Sequence, residues 1–374
     1  MDARKLLAPA LGLVLAGAVG GGIWYSHEQV ATTRSADAAA EAERAKQVTA
    51  HGLIGSEKDS YFADAAVQKA LAAHGITVLP EKAGSRTIAS SYDAKKYDFG
   101  FPSGAPAAAA LKQQAKASTV YTPFYTPIVF ASWRPIAEIL VANGIAQRDG
   151  DFYYVVDLPQ LMALVEKGTR WRDLKGSEAF ATNKAVLVNS TDVRTSNSAA
   201  MYLSLASYIA NDQQVVQSQE DVARVLPIVA PLFLRQGFQE SSSAGPFEDY
   251  LALGMGKAPL LVAYESQVIE FWLKHPDRMK GDMAILYPRP TVYSKHVLVP
   301  YTAAGARLGA ALETDPELQR LAHEYGYRTG GNVKGPEIWA DHGIKVPDVL
   351  VDVVDPPSYE WLERMIQDIE SRFK

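Results

Sequence analysis

Cysteine is absent from the 374 residues of this chain. Its absence excludes disulfide bonds, thiolate metal sites and a cysteine nucleophile. A concentrated basic segment is lacking as well, because 37 Lys and Arg residues stand against 42 Asp and Glu residues, for a formal net charge of −5. Nucleic-acid binding needs a concentrated basic face, so we expect no nucleic-acid partner.

Sequence signatures of catalysis and of metal binding are also missing. The chain contains no GxSxG, HExxH or Walker sequence, and no two of its seven histidines are four residues apart. These patterns supply nucleophiles, zinc ligands and phosphate loops in many enzymes. We therefore expect no catalytic residue, no metal site and no cofactor.

What the chain does have is a globular composition, with 48% hydrophobic and 21% charged residues. A chain of this length accommodates two domains of about 150 residues each. The first question is therefore how the chain divides.

The first 26 residues fit two kinds of membrane-targeting segment. Two basic residues precede about twenty uncharged ones that end in Trp24-Tyr25, which is the pattern of a transmembrane helix with a cytoplasmic basic flank. The apolar stretch Leu6–Leu15 followed by Ala16-Gly17-Ala18 also fits a signal peptide with its cleavage site. We favour the uncleaved anchor, because the apolar run is long and ends in aromatic residues. Either interpretation places the rest of the chain on the extracytoplasmic side of a cell membrane.

Residues 27–50 are rich in Ala, Glu, Arg and Lys and have no sizeable apolar stripe. They fit a solvated helical stalk or a disordered spacer. From His51 onward, short apolar segments alternate with helical patterns, among them one helix over residues 59–75 and a buried strand "AVLVNS". A β-α-β-α-β order predicts a parallel sheet with right-handed crossovers. A second α/β unit begins near Arg134, and the chain ends in an amphipathic helix whose apolar face we expect to pack on the body.

Three polar turns stand where a predicted strand passes into a helix: Gly55-Ser56-Glu57, Gly84-Ser85-Arg86 and Thr195-Ser196-Asn197-Ser198. The first turn of a helix offers unpaired backbone N–H groups and a positive dipole end, which suit a carboxylate or an oxyanion. Ser and Asn are also the preferred N-cap residues, so each turn has a purely structural interpretation too. Arg86 adds a guanidinium that could bind an anion bidentately or form a surface salt bridge.

Several stretches resemble the bacterial extracellular solute-binding proteins with type II periplasmic architecture. "GLIGSEK" resembles the first strand and ligand loop of that family, and "AGSRTIASSYDAKKYDFGFPSG" resembles the second ligand loop with its helix and the third strand. "APLLVAYESQV" is similar to a strand that ends in Tyr-Glu-Ser, and "LYPRPTVYSKHVLVPY" is similar to the strand pair that returns to the first lobe. The similarity covers roughly residues 51–330.

The resemblance implies an α/β, two-lobed, periplasmic-binding-protein-like (type II) fold that closes on a small ligand. The segments that follow from it are a membrane anchor or signal peptide (1–26), a stalk (27–50), lobe I (51–133 with 290–330), lobe II (134–289) and a C-terminal extension (331–374). In this arrangement Tyr264 faces the cleft. Glu265 either accepts a hydrogen bond from the ligand or braces the hinge, and we favour the brace because an unpaired carboxylate would repel an anion.

The sequence thus predicts a membrane-tethered solute-binding protein for a small polar or anionic ligand. Its expected partner is an ABC-type permease or another envelope protein; the alternative is a scaffold or sensor subunit of an envelope complex. The predicted ligand-binding residues are Ser56, Ser85, Arg86, Ser196, Asn197, Tyr264 and Glu265.

Overall fold

The computed structural model describes residues 47–150, 153–278, 281–331 and 334–373. From Thr49 onward these residues form one compact unit. The anchor or signal peptide predicted at 1–26, and most of the stalk predicted at 27–50, lie outside the described residues. Within the described ranges, no helix combines the length and the apolar character needed to cross a membrane.

The strands of the described residues form one mixed sheet. They are β1 (Val48–Ile54), β2 (Ile76–Lys82), β3 (Phe99–Phe101), β4 (Tyr121–Trp133), β5 (Ala146–Arg148), β6 (Tyr153–Asp157), β7 (Leu260–Tyr264), β8 (Met283–Arg289) and β9 (Tyr293–Pro300). Their order across the sheet is β2-β1-β3-β9-β4-β8-β6-β5, and β7 pairs with β4 as well.

Helices connect these strands. They are α1 (Asp59–Ala63), α2 (Ala65–Ala73), α3 (Ser85–Ser90), α4 (Ala105–Ala115), α5 (Arg134–Ala142), α6 (Leu158–Glu166), α7 (Asn197–Ala210), α8 (Gln219–Leu234), α9 (Ala244–Leu253), α10 (Glu265–Lys274), α11 (Ala303–Thr314), α12 (Pro316–Glu324), α13 (Gly335–Asp341) and α14 (Tyr359–Glu370).

The long strand β4 joins two regions of the sheet. It pairs with β9 between Tyr121 and Pro127, with β7 from Ile128 onward and with β8 from Phe130 onward. We call β1, β2, β3 and β9, with the helices packed on them, the first sheet region, and β5 to β8, with their helices, the second sheet region. The lobe boundaries at 133/134 and 289/290 stay a prediction, because the chain from Thr49 onward is one compact unit.

The predicted parallel pairing is only part of the sheet. β1 is parallel to β3, and β6 is parallel to β8. β4 is antiparallel to β7, β8 and β9. The centre of β4, where the strand passes from one region to the other, is covered by both. Its four residues Ile128, Val129, Phe130 and Ala131 are all fully buried. A continuous apolar run of this kind is typical of a strand that is covered on both faces.

Two local predictions were wrong. The helix predicted over residues 59–75 is broken at Asp64, whose carboxylate caps the second half by accepting hydrogen bonds from the N–H groups of Ala66 (2.6 Å) and Val67 (3.2 Å). The segment "AVLVNS" is not a full strand. It reaches the sheet only at Asn189, whose N–H donates to the Leu260 carbonyl at 2.8 Å.

The C-terminal helix α14 packs on the second sheet region. It lies against α7 and α8 of that region and also against α4 of the first region, and it buries Leu362, Met365, Ile366 and Ile369. These four residues belong to the face that was identified as apolar in the sequence. They join the same core as the apolar residues of α8.

Candidate ligand-binding cleft

A cavity of about 340 Å³ opens between the two sheet regions. We call it the cleft. This volume falls in the range of small-molecule sites. From the first sheet region it is lined by Gly55, Ser56, Glu57, Lys82, Ala83, Gly84, Ser85 and Thr87, and from the second by Thr195, Ser196, Asn197, Ser241, Ser242, Ser243 and Tyr264. Hydroxyl groups and backbone N–H and C=O groups therefore make up most of the polar surface of the cleft walls.

On the first side, the turns after β1 and β2 form the wall. Ser85 is 5% exposed, and its Oγ accepts a hydrogen bond from the N–H of Ser103 at 3.0 Å. Gly84 lies close to the opposite wall, since a Cβ there would lie 2.6 Å from the carbonyl oxygen of Thr195. A larger residue at 84 would hold the two walls apart.

On the second side, two helices begin at the cleft. Ser196 is the N-cap of α7, and Ser243 is the N-cap of α9; neither side chain makes a capping hydrogen bond. The first N–H groups of a helix have no intrahelical acceptor, and the helix dipole places positive potential there. The wall formed by these two helix starts thus favours a negatively charged or hydrogen-bond-accepting group.

Asn197 connects the two walls. Its Nδ2 lies 3.0 Å from the carbonyl oxygen of Ser103 and 3.1 Å from the Oγ of Ser294, both in the first sheet region. The same nitrogen lies 3.0 Å from the hydroxyl of Tyr264 in the second region. These contacts show that the sheet regions are closed on each other at the cleft.

Beneath the cleft lies a buried polar network. Lys58 is fully buried, and its Nζ lies 2.5 Å from Glu57 Oε1, 2.8 Å from Ser103 Oγ and 3.1 Å from His296 Nδ1. The Ser103 hydroxyl donates to the same Glu57 oxygen. A buried charge is tolerated only when it is paired and hydrogen-bonded, and this network meets that condition.

The network sets the charge of the cleft floor. Burial acts to raise the pKa of Glu57, but the neighbouring Lys58 charge and the hydrogen bonds from Lys58 and Ser103 lower it to about 2. Burial, with the nearby Lys58 charge, holds the pKa of His296 well below its usual value, so this imidazole is neutral. Glu57 and Lys58 then cancel each other. The floor carries no net charge, and the only other charged residue of the lining is Lys82 at the rim, whose Nζ lies 2.9 Å from Asp59 Oδ2.

Five of the seven predicted ligand-binding residues line the cleft. They are Ser56, Ser85, Ser196, Asn197 and Tyr264. Tyr264 is 2% exposed, and burial raises the pKa of its hydroxyl, which therefore stays protonated. Arg86 and Glu265 lie outside the lining.

Arg86 points away from the cleft toward the C-terminal helix. Its Nε lies 3.0 Å from both carboxylate oxygens of Glu363, and its Nη1 lies 3.2 Å from Glu370. The proposed counter-charge for a ligand is thus already engaged by the protein's own carboxylates. The sequence could not reveal this pairing, because the partners are 277 and 284 residues apart.

Glu265 forms a buried ion pair. It is fully buried, and its carboxylate lies 2.6 and 2.8 Å from two guanidinium nitrogens of Arg328, which is 3% exposed. The hydroxyl of Tyr287 donates to it at 2.5 Å. Arg328 also donates to the carbonyls of Pro347 and Asp348. The pair ties the start of α10 to the end of the first sheet region and to the C-terminal extension. The role of Glu265 as a brace stays a prediction.

Lys58, Ser103, Ser294 and His296 were missed as site residues. They lie in three separate segments of the chain, and no spacing connects them. Only the folding of β9 beside β3 brings them together. Among the described residues, no group of three or more His, Asp or Glu side chains could hold a metal ion.

Comparison with known proteins gives matches in structure alone. No protein-family model matches the chain, and no curated protein matches its sequence. Iron-bound HitA from Pseudomonas aeruginosa matches with a TM-score of 0.53 at 12% identity, over 86% of this chain and 99% of that one. The likeness shows that this chain shares its fold with that protein.

Two further structures agree with this assignment of the fold. The periplasmic binding protein AfuA from Actinobacillus pleuropneumoniae, with fructose-6-phosphate bound, has a TM-score of 0.52 at 10% identity and covers 87% of this chain and 98% of its own. The ferric binding protein from Campylobacter jejuni has a TM-score of 0.52 at 11% identity, with coverage of 86% and 97%. At such low identity the likeness shows the fold and not the ligand.

Proposed function

We propose that this chain is a solute-binding protein that closes its two sheet regions on a small anionic or polar ligand. The observation that carries the proposal is the position of the cleft between two regions of a solute-binding fold, with the starts of α7 and α9 at one wall. Closure about a hinge would then bind the ligand without chemical change, the ligand shifting an open–closed equilibrium.

An oxyanion or carboxylate group is the ligand chemistry that the walls support best. The hydroxyls of Ser56, Ser196 and Ser242 and the first N–H groups of two helices are hydrogen-bond donors. The floor adds no net charge, because Lys58 offsets Glu57. A free metal cation would meet no vacant carboxylate there, since Glu57 already bonds Lys58 and Ser103.

Binding is tested by calorimetric titration of the purified full-length protein with sulfate, phosphate, molybdate, acetate and citrate, with glucose as an uncharged comparison. A ligand present at 100 times its dissociation constant should also stabilise the fold by about 2.7 kcal/mol. Absence of heat and of thermal stabilisation for every anion would contradict an anion-binding function.

A matched pair of variants locates the site. Ser242→Trp places a large ring in the cleft and should abolish binding, whereas Ser118→Trp places the same ring on an exposed loop away from the lining and should leave binding unchanged. Ser196→Ala removes one donor and should weaken binding by about tenfold, the effect of one charged hydrogen bond. If Ser242→Trp binds the anion as tightly as Ser118→Trp does, the ligand is held elsewhere.

We further propose that the body works on the extracytoplasmic side of a membrane, tethered by residues 1–26, and passes ligand to an ABC-type permease or another envelope protein. The basic-then-apolar pattern of that segment supports the tether. Cell fractionation tests it: the full chain should sediment with membranes, and deletion of residues 2–26 should release it. Equal distribution of both forms would contradict the tether.

A further inference from the structure

We propose that the C-terminal helix α14 is a latch that holds the two sheet regions closed around the cleft and so controls ligand entry and release. The inference rests on the proposed function of the cleft as the ligand site. It concerns the C-terminal extension, to which the sequence assigned no role beyond packing on the body.

The helix is anchored firmly to the second sheet region. Leu362, Met365, Ile366 and Ile369 are each no more than 5% exposed and belong to the core that contains α7 and α8. Beyond the helix end, the ring of Phe373 lies 4.4 Å from the guanidinium of Arg194, which precedes α7. An apolar attachment of this extent is not screened by salt, and it moves with the second region as one body.

Its attachment to the first sheet region combines packing against α4 with an ion pair at Arg86. Arg86, at the start of α3, holds Glu363 through its Nε and Nη2 and reaches Glu370 through Nη1. The Arg86 side chain is 29% exposed, so solvent and salt have access to this contact. The Arg86 Nη1 also donates to the carbonyl of Arg194 at 3.0 Å, a direct hydrogen bond between the two regions.

The latch lies directly behind the ligand-facing turns. A small second cavity under α14 is lined by Ser85, Thr195, Ser196 and Asn197, which also line the cleft, and by Leu362 and other residues of α14. Opening of the cleft separates Ser85 from Ser196 and thereby pulls Arg86 away from Glu363. The cleft therefore cannot open while this ion pair is intact and α14 remains in the core of the second region.

The two attachments differ in kind, and this difference decides which one gives way. The contact with the second region involves four buried apolar side chains, whereas the contact with the first region consists of packing against α4 and one partly exposed guanidinium. Loss of the ionic contact raises the population of the open state without unfolding α14. A ligand would then enter and leave faster, because a binding-competent open state is populated more often.

The experiment measures the separation of the two regions in the absence of ligand. Since the chain has no cysteine, spin labels attach specifically at Lys95→Cys in the first region and Arg235→Cys in the second, both exposed positions. In the otherwise unchanged full-length protein we expect a single distance. Glu363→Gln should add a second, longer distance, and 1 M salt should have the same effect on the unchanged protein.

Two controls make the result specific. Glu360→Gln removes a charge from an exposed position of the same helix and should leave the distance unchanged. The exchange Arg86→Glu with Glu363→Arg should restore the single distance, because the ion pair re-forms with reversed polarity. An identical distance distribution for Glu363→Gln and the unchanged protein, with no response to salt, would overturn the latch.

Failure of the latch is distinguishable from failure of the ligand site. Anion binding in titrations together with unchanged distances in Glu363→Gln would refute the latch alone. A second distance in Glu363→Gln together with no binding of any anion would refute the ligand site. The proposal that α14 holds the two sheet regions closed would then still stand.

Discussion

Neutralising Glu265 should destabilise the fold and leave ligand binding intact. Glu265 and Arg328 are 0% and 3% exposed and share two charge-assisted hydrogen bonds. Removing one partner of such a buried pair costs about 3–5 kcal/mol, because the other charge stays buried without compensation. For a unit of roughly 320 residues, with about 2.1 cal/mol/K of unfolding entropy per residue, that loss lowers the thermal midpoint by about 4–7 °C.

The variant for this test is Glu265→Gln, which keeps the shape of the side chain, and the measurement is the thermal unfolding midpoint followed by circular dichroism. The matched control is Glu317→Gln. Glu317 also pairs with an arginine, Arg320, but the two side chains are 53% and 48% exposed. An exposed pair of this kind contributes about 0–1 kcal/mol, so the control should lower the midpoint by less than about 2 °C.

A double variant separates the pair from its surroundings. Glu265→Gln combined with Arg328→Gln should cost less than the sum of the two single changes, because the second change removes the uncompensated charge. Equal midpoints for Glu265→Gln and Glu317→Gln would refute the brace. A loss of ligand binding in Glu265→Gln at an unchanged midpoint would instead make Glu265 a ligand-binding residue.

Three further outcomes follow from the packing and the buried charges. The buried His296, beside Lys58, has a pKa well below its usual value, so below about pH 6.5 only the unfolded state gains its proton. As the pH is lowered from there, the unfolding free energy measured in urea titrations should fall by about 1.4 kcal/mol per pH unit, and it should fall less steeply in His296→Gln. Equal slopes for the two proteins would contradict a buried neutral imidazole. Ile366→Ala should cost about 2–5 kcal/mol in urea titration, and a loss below about 1 kcal/mol would show that α14 is not part of the core. Gly305→Ala places a Cβ against the carbonyl of Asp98 and should cost about 1–3 kcal/mol, an unchanged urea midpoint contradicting that close approach.

The positions of the ligand-facing turns could be predicted from local sequence. A small polar residue that follows an apolar strand and precedes a helical pattern becomes an N-terminal turn wherever the strand lies. For this reason Ser56, Ser85, Ser196 and Asn197 could be named in advance, and the structure places all four at one cavity. The amphipathic face of the last helix was likewise predicted from periodicity.

The directions and partners of the charged side chains depended on the tertiary structure. Arg86 stands in one of the predicted turns, yet it turns away from the cleft because Glu363, almost three hundred residues later, offers a carboxylate on its other side. Lys58 and His296 are 238 residues apart and meet only when β9 folds beside β3. The sequence by itself determined where the polar turns of the cleft lie and which face of the last helix is apolar, because these depend on neighbours within a few residues. The pairing of charges, and with it the net charge of the cleft floor, was decided only by the tertiary structure, because Coulomb attraction and burial act between residues that are distant along the chain.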